Sequence, residues 1–128
     1  MSTAVMEPDP SGLYVGSSYM FASARDWAKF GQLYLQDGQW KGEQILPKGW
    51  AAYSGKETPN SDGLYAAQFW IAYRKEGMPQ DLYYADGFEG QRVLIVPSKK
   101  LVVVRLGCTP NAGNFDDVRF FREILAEF

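Results

Sequence analysis

An α+β fold, an antiparallel sheet of three to four strands flanked by helices, is predicted by three features of the chain. A capped amphipathic stretch lies near the start. Two β-branched runs follow, Arg92–Val96 and Leu101–Leu106, separated only by Pro97-Ser98-Lys99-Lys100. A second amphipathic stretch closes the chain. Together they describe one domain over residues 1–128.

Taken in order, Met1–Gly12 (MSTAVMEPDPSG) is rich in Pro, Asp and Ser and is expected as a loop. Tyr14–Phe21 mixes aromatic and small residues, and its type is ambiguous. Ser23–Gln36 is predicted as a helix. Ser23 caps its free N–H groups, and Asp26 follows three residues on, as in a capping box. Trp27, Phe30, Gly31, Tyr34 and Leu35 recur at helical spacing on one apolar face. Asp37-Gly38 ends the helix, with Gly38 expected at the left-handed C′ position.

Gln39–Glu43 reads as a small turn or loop. Pro47 suits the first turn of a short helix through Tyr53, and Ser54–Gly63 is expected as a surface loop. Ala66–Tyr73 (AAQFWIAY) is β-favouring and is predicted as a strand. Met78–Asp81 then connects to a strand over Leu82–Ala85. The two β-branched runs form a hairpin across the Pro97–Lys100 spacer. Asn114 is expected to cap the last helix, with Asp117 three residues on. Val118, Phe121, Ile124, Leu125 and Phe128 form its apolar face.

Composition removes several function classes. The chain has no histidine, so His metal sites and Ser-His or Cys-His catalysis within it are excluded. A single cysteine, Cys108, excludes an internal disulfide. A net charge of −2 without a basic stripe predicts no nucleic-acid partner. The apolar runs fall far short of the about 20 residues that cross a bilayer, so no membrane partner is expected. Met1–Gly12 lacks the basic and apolar regions of a signal peptide. A compact monomer of this size exposes roughly 6,800 Å².

Three stretches together resemble one family. SARDWAKFG (residues 23–31), the following LYLQDGQWKGEQILPKGW, and YYADGFEGQRVLIVPSKKLVVVRLG (Tyr83–Gly107) resemble, in order and spacing, segments of the β-lactamase-related serine hydrolases. The similarity is to the group of class C β-lactamases, esterases and nylon-oligomer hydrolases. It implies a partial β-lactamase/transpeptidase-like fold, with the match running over residues 12–128.

The family uses a nucleophilic Ser with a Lys one helical turn later, S-x-x-K, and a Tyr in Y-x-N. One turn of helix places the amine where it can take the Ser proton. Neither motif occurs here: Ser54-Gly55-Lys56 has the wrong spacing, and Tyr53 and Tyr14 are followed by Ser-Gly and Val-Gly. Both motifs lie upstream of the matched region in the family. The resemblance therefore implies a C-terminal portion that is inactive alone.

The family's third element is K-T-G in penicillin-recognising enzymes, on the strand beside the nucleophile. Ala85-Asp86-Gly87 occupies the corresponding place, and Gly87-Phe88-Glu89-Gly90-Gln91 resembles the G-x-x-G-Q of the nylon-oligomer hydrolase branch. Carried over, the Phe88 backbone N–H is the oxyanion donor. Gly87, lacking a Cβ, lets substrate approach the strand. Asp86, Tyr84 and Trp70 are candidate substrate contacts. The missing Lys favours ester or amide substrates over penicillins. No metal or organic cofactor is implied.

Plainer readings stand beside these. Gly87 and Gly90 read equally as turn glycines, and Asp86 as a solvated turn residue without a carboxylate partner in sequence. Trp70 reads as core, Lys99-Lys100 as a solvated turn, and Cys108 as a buried or half-buried free thiol without a base. Three functions follow: a hydrolase portion that supplies the oxyanion strand, a stand-alone binding or self-assembly module, or a small enzyme of unrelated mechanism. The last has no nucleophile, base and orienter set to support it. In the resembled fold the last strand pairs with an N-terminal strand. Here Leu101–Leu106 is expected to be an open apolar edge and to drive homo-oligomerisation. A small ester or amide is the expected substrate once an N-terminal part completes the site.

Overall fold

The computed structural model describes residues 1–110 and 115–128. In chain order they form β1 (Val5–Met6), β2 (Met20–Phe21), α1 (Ala24–Leu35), β3 (Gln39–Trp40), β4 (Glu43–Gln44) and α2 (Trp50–Ser54). A 3₁₀ turn over Ala72–Glu76 precedes β5 (Tyr83–Gly87), β6 (Gln91–Val96), β7 (Leu101–Arg105) and α3 (Asp117–Ala126). The main sheet is antiparallel in the order β5-β6-β7. The α+β class is as predicted.

Alternation along the strands builds two cores. Tyr84, Leu94 and Val96 point to one face and pack with Tyr73, Leu82, Phe121 and Leu125, so α3 covers that side. Tyr83 and Ile95 point to the other and meet Ala66, Phe69 and Ile71, with Phe30, Tyr34 and Leu35 of α1 against them. The central strand is therefore buried on both faces, which its continuous Val-Leu-Ile-Val run allows. Gly31 lets α1 lie close on the sheet: a Cβ there would stand 2.5 Å from Val102 Cγ1 and 3.2 Å from Val93 Cγ1.

Both ends of α1 match expectation in place but differ in chemistry. Ser23 accepts from the Asp26 N–H at 3.3 Å. The Asp26 carboxylate does not return to Ser23. It is buried, pairs with Lys29 at 2.6 Å, and accepts from Thr3 N and Thr3 Oγ1, both at 2.7 Å. At the other end Gly38 is left-handed as expected (φ 80°), but Asp37 is left-handed as well (φ 50°) and holds the C′ place after the Gln36 cap. The Asp37 N–H bonds Tyr34 O at 3.1 Å while Gly38 N bonds Leu33 O at 2.8 Å, a Schellman arrangement.

Four further expectations are corrected. Met1–Gly12 is not all loop, because Val5–Met6 pairs with Met20–Phe21. Gln39–Glu43 opens a hairpin, β3 with β4, across Lys41-Gly42; both turn residues have positive φ, as a two-residue hairpin turn requires. The strand expected over Ala66–Tyr73 does not form. Gln68 is left-handed (φ 69°), the Ala66 N–H bonds Phe69 O, and the chain then winds into the 3₁₀ turn. Only Trp70 joins the sheet, through a one-residue bridge to Tyr84. Finally, α3 begins later than expected and is capped by Asp116, which accepts from Arg119 N at 2.9 Å. Asn114, the expected cap, lies outside the described residues.

The accessible surface is 8393 Å², about 1,600 Å² above the area of a compact monomer of this mass. Much of it is apolar. Val5, Leu13, Tyr14, Tyr19 and Phe21 are all exposed at the start of the chain, as is Phe88 (86%).

Candidate active site

The site is built on the β5–β6 hairpin. Register places Asp86 opposite Arg92 and Arg92 opposite Arg105, so all three share the α3 face of the sheet. Pairing between β5 and β6 ends at Gly87–Gln91. Phe88, Glu89 and Gly90 make the turn, with Glu89 (φ 57°) and Gly90 (φ 84°) both left-handed. This turn borders an open cleft of about 330 Å³, lined also by Arg92, Arg105, Thr109, Phe115 and Asp117.

Charges around the cleft are largely matched. Arg92 bonds Asp86, and its Nη2 stands 3.2 Å from Asp117 at the start of α3. Tyr73 donates to the same Asp117 oxygen at 2.5 Å and accepts from Arg92 Nε at 3.2 Å. Arg105 donates to Gly90 O at 2.5 Å and to Thr109 Oγ1 at 2.6 Å, and its guanidinium lies 4.1 Å over the Phe115 ring. Burial pushes the Asp86 carboxyl above its ordinary value, with Arg92 opposing. Burial, then the bond to Asp117, holds the Tyr73 phenol far above its usual range. Cys108 is exposed rather than buried, and its thiol donates to Glu89 at 3.2 Å, which raises its pKa and makes it a poorer nucleophile.

Of the residues singled out from the sequence, Asp86, Gly87 and Phe88 meet at the cleft. Tyr84 and Trp70 do not line it. Tyr84 is buried in the core, stacked on Tyr73 with centroids 4.3 Å apart, and burial pushes its phenol up to about 12. Trp70 packs edge-on against Tyr65 at 5.0 Å, beside β5. Gly87 has an internal reason to be glycine: a Cβ would stand 2.9 Å from Gln91 Cβ. A Cβ on Gly90 would meet Arg105 Nη1 at 2.6 Å.

Sequence reasoning missed Arg92, Arg105 and Asp117 as site residues. The hairpin spacer held the signal for the two arginines. Counting outward from Val96 opposite Leu101 places Arg92 opposite Arg105. The cleft thus offers a backbone turn and an ion-paired lining, with no serine–lysine pair. Among the described residues no group of three or more His, Cys, Asp or Glu is placed to hold a metal ion. No described helix is long and apolar enough to cross a membrane.

No family model and no curated protein matches the chain. Among solved structures it is similar to a candidate 6-aminohexanoate-dimer hydrolase from Bacillus anthracis, with 27% identity and a TM-score of 0.72. The similarity covers 92% of this chain but 31% of that one, so the chain spans about a third of the protein it resembles. Nearly the whole chain therefore has the fold of part of a hydrolase that fits the β-lactamase-related serine hydrolases.

Proposed function

We propose that this chain is the oxyanion-donating region of a β-lactamase-related serine hydrolase acting on esters or amides. The Phe88 N–H, at the turn bordering the cleft, is the donor. In the complete site a serine Oγ attacks the substrate carbonyl and gives its proton to a base, and the carbonyl oxygen takes the negative charge. The Phe88 N–H stabilises that oxygen. The leaving alcohol or amine departs with a proton, and water then releases the acid and regenerates the serine. The serine and its base are supplied from outside these residues, since S-x-x-K does not occur in the sequence.

The observation that carries this reading is the cleft at Asp86–Gly90 within a fold shared with part of a hydrolase chain. The name of that hydrolase supports trying an amide-linked amino acid dimer as a substrate. The lack of S-x-x-K also sustains a second reading, a stand-alone binding module derived from the same fold.

The test has two arms. The chain alone is assayed with p-nitrophenyl acetate and a chromogenic cephalosporin, with a fluorophosphonate probe read by intact mass. No turnover and no adduct are expected. The chain is then grafted in place of the matching region of the similar hydrolase. Restored hydrolysis supports the proposal. A folded, probe-reactive graft without turnover favours the binding module.

A further inference from the structure

We infer that Arg105 is a positioning residue: its guanidinium fixes the Phe88–Gly90 turn and with it the direction of the Phe88 N–H. This rests on the Phe88 N–H being the oxyanion donor. The turn needs holding. Glu89 (φ 57°) and Gly90 (φ 84°) are successive left-handed residues, and a non-glycine residue keeps that conformation only where its surroundings over-determine it. The Phe88 ring is 86% exposed and supplies little packing.

Arg105 governs both carbonyls of the turn. Its Nη1 donates to Gly90 O at 2.5 Å. Its Nη2 donates to Thr109 Oγ1 at 2.6 Å, and the Thr109 N–H donates to Glu89 O at 3.1 Å. One planar fork thus sets two consecutive peptide groups, directly at Gly90 and through Thr109 at Glu89. The Phe88 N–H lies between these groups and the Gly87–Gln91 pair that ends the ladder, so its direction is constrained from both sides.

The guanidinium is itself held in a slot. The Phe115 ring lies 4.1 Å from it. A Cβ on Gly90 would stand 2.6 Å from Nη1, and one on Gly107 would stand 3.1 Å from Cζ, Nη1 and Nη2. Gly90 needs glycine for its φ, but Gly107 is not left-handed, so its missing side chain serves the guanidinium. Sheet pairing does not favour an arginine here. Arg105 stands opposite Arg92, a like-charge pairing that destabilises a ladder. An arginine disfavoured by its ladder yet slotted onto neutral acceptors at one turn has its role in that turn.

Two readouts test this. In the chain alone, the amide order parameters of Phe88 and Glu89 are expected at about 0.85, falling below about 0.6 in Arg105→Ala. Gly107→Ala keeps Arg105 but sets a methyl against its guanidinium, and should loosen the same two amides. Gly31→Ala, which strains the α1 contact instead, should leave them rigid. Unchanged order in both Arg105→Ala and Gly107→Ala overturns the proposal. In the grafted hydrolase, kcat is expected to fall about 10²-fold in Arg105→Ala with KM little changed. Added to Phe88→Pro, which already lacks the donor, Arg105→Ala should cost no more than about twofold further. A full further loss overturns the proposal, as does full activity in Arg105→Lys, which keeps the charge but not the fork. Arg105→Ala harmless where Phe88→Pro is damaging overturns the positioning role and leaves the donor standing. Phe88→Pro harmless overturns both.

Discussion

The side-chain amide of Gln91 stands in for a strand backbone opposite Gly107. Its Oε1 accepts from the Gly107 N–H at 2.9 Å, and its Nε2 donates to the Gly107 carbonyl. The β6–β7 ladder thus gains one more step beyond Arg92–Arg105. Thr109 N adds a bond to Glu89 O at 3.1 Å, and Arg105 holds Gly90 O. Glu89, Gly90 and Gln91 are therefore tied in succession to Thr109, Arg105 and Gly107, at the end of β7 and just after it.

Removing the clamp should loosen the turn carrying Phe88 first. Gln91→Ala deletes both bonds and is expected to cost about 1–2 kcal/mol, measured from urea midpoints at constant slope. Gln91→Glu keeps the acceptor but sets a carboxylate oxygen against the Gly107 carbonyl, and should cost at least as much. Exchange of the Gly107 and Thr109 amides should quicken before the rest of the sheet. An unchanged midpoint in both variants would show that the clamp contributes nothing.

Close approach of α1 to the sheet depends on Gly31. Gly31→Ala puts a methyl 2.5 Å from Val102 Cγ1 inside a packed face. A loss of about 1–3 kcal/mol is expected, less the helix preference for alanine of about 1 kcal/mol. Because the closest contacts are with Val102, and Val93 stands off at 3.2 Å, Val102→Ala should relieve most of the clash. The double variant should be more stable than the two single losses added together. Strict additivity would place the strain elsewhere.

The parts legible in the sequence were those decided locally. Ser23 capping, the apolar face through Leu35 and the Pro97–Lys100 spacer each lie within a few residues, and each element formed within a residue or two of its expected bounds. Ala66–Tyr73 was misread because its apolar residues are set by the core they fill. Phe69, Ile71 and Tyr73 are buried from a turn and a 3₁₀ coil, where β-propensity gives no guidance. At the site, Gly87–Gln91 was visible as a motif. Arg92 and Arg105 required strand register, and Asp117 required knowing that the start of α3 docks beside them.

Acid should release the start of the chain. The bond from Lys29, then those from Thr3, hold the Asp26 carboxyl well below the usual carboxylate range. A depressed folded pKa contributes stability that is fully present above the unfolded value of about 3.9 and is lost as pH falls through the folded one. Urea midpoints should therefore hold down to about pH 5 and decline below it. Asp26→Asn should lower the midpoint at neutral pH and flatten that decline. It should also speed amide exchange at Thr3, whose N–H the carboxylate accepts. A variant with the same acid slope as the parent would remove Asp26 from the account.

Phe88→Pro isolates the proposed donor from everything else in the turn. Proline lacks the N–H but fixes φ near −65°, and Phe88 opens the 3₁₀ turn without the positive φ that proline could not adopt. The residue before a proline must be extended, and Gly87 already is, at φ −118° and ψ 165°. The Phe88 ring is 86% exposed, so its loss removes little packing. The stability of the chain should then change by under about 0.5 kcal/mol, as for a surface substitution. In the grafted hydrolase, kcat should fall by about 10²–10³ with KM little changed, the effect of deleting one oxyanion donor. Phe88→Ala keeps the N–H and should retain kcat within a few-fold. If proline and alanine lower kcat alike, the side chain matters and the backbone donor does not. If neither lowers it, the oxyanion is stabilised elsewhere.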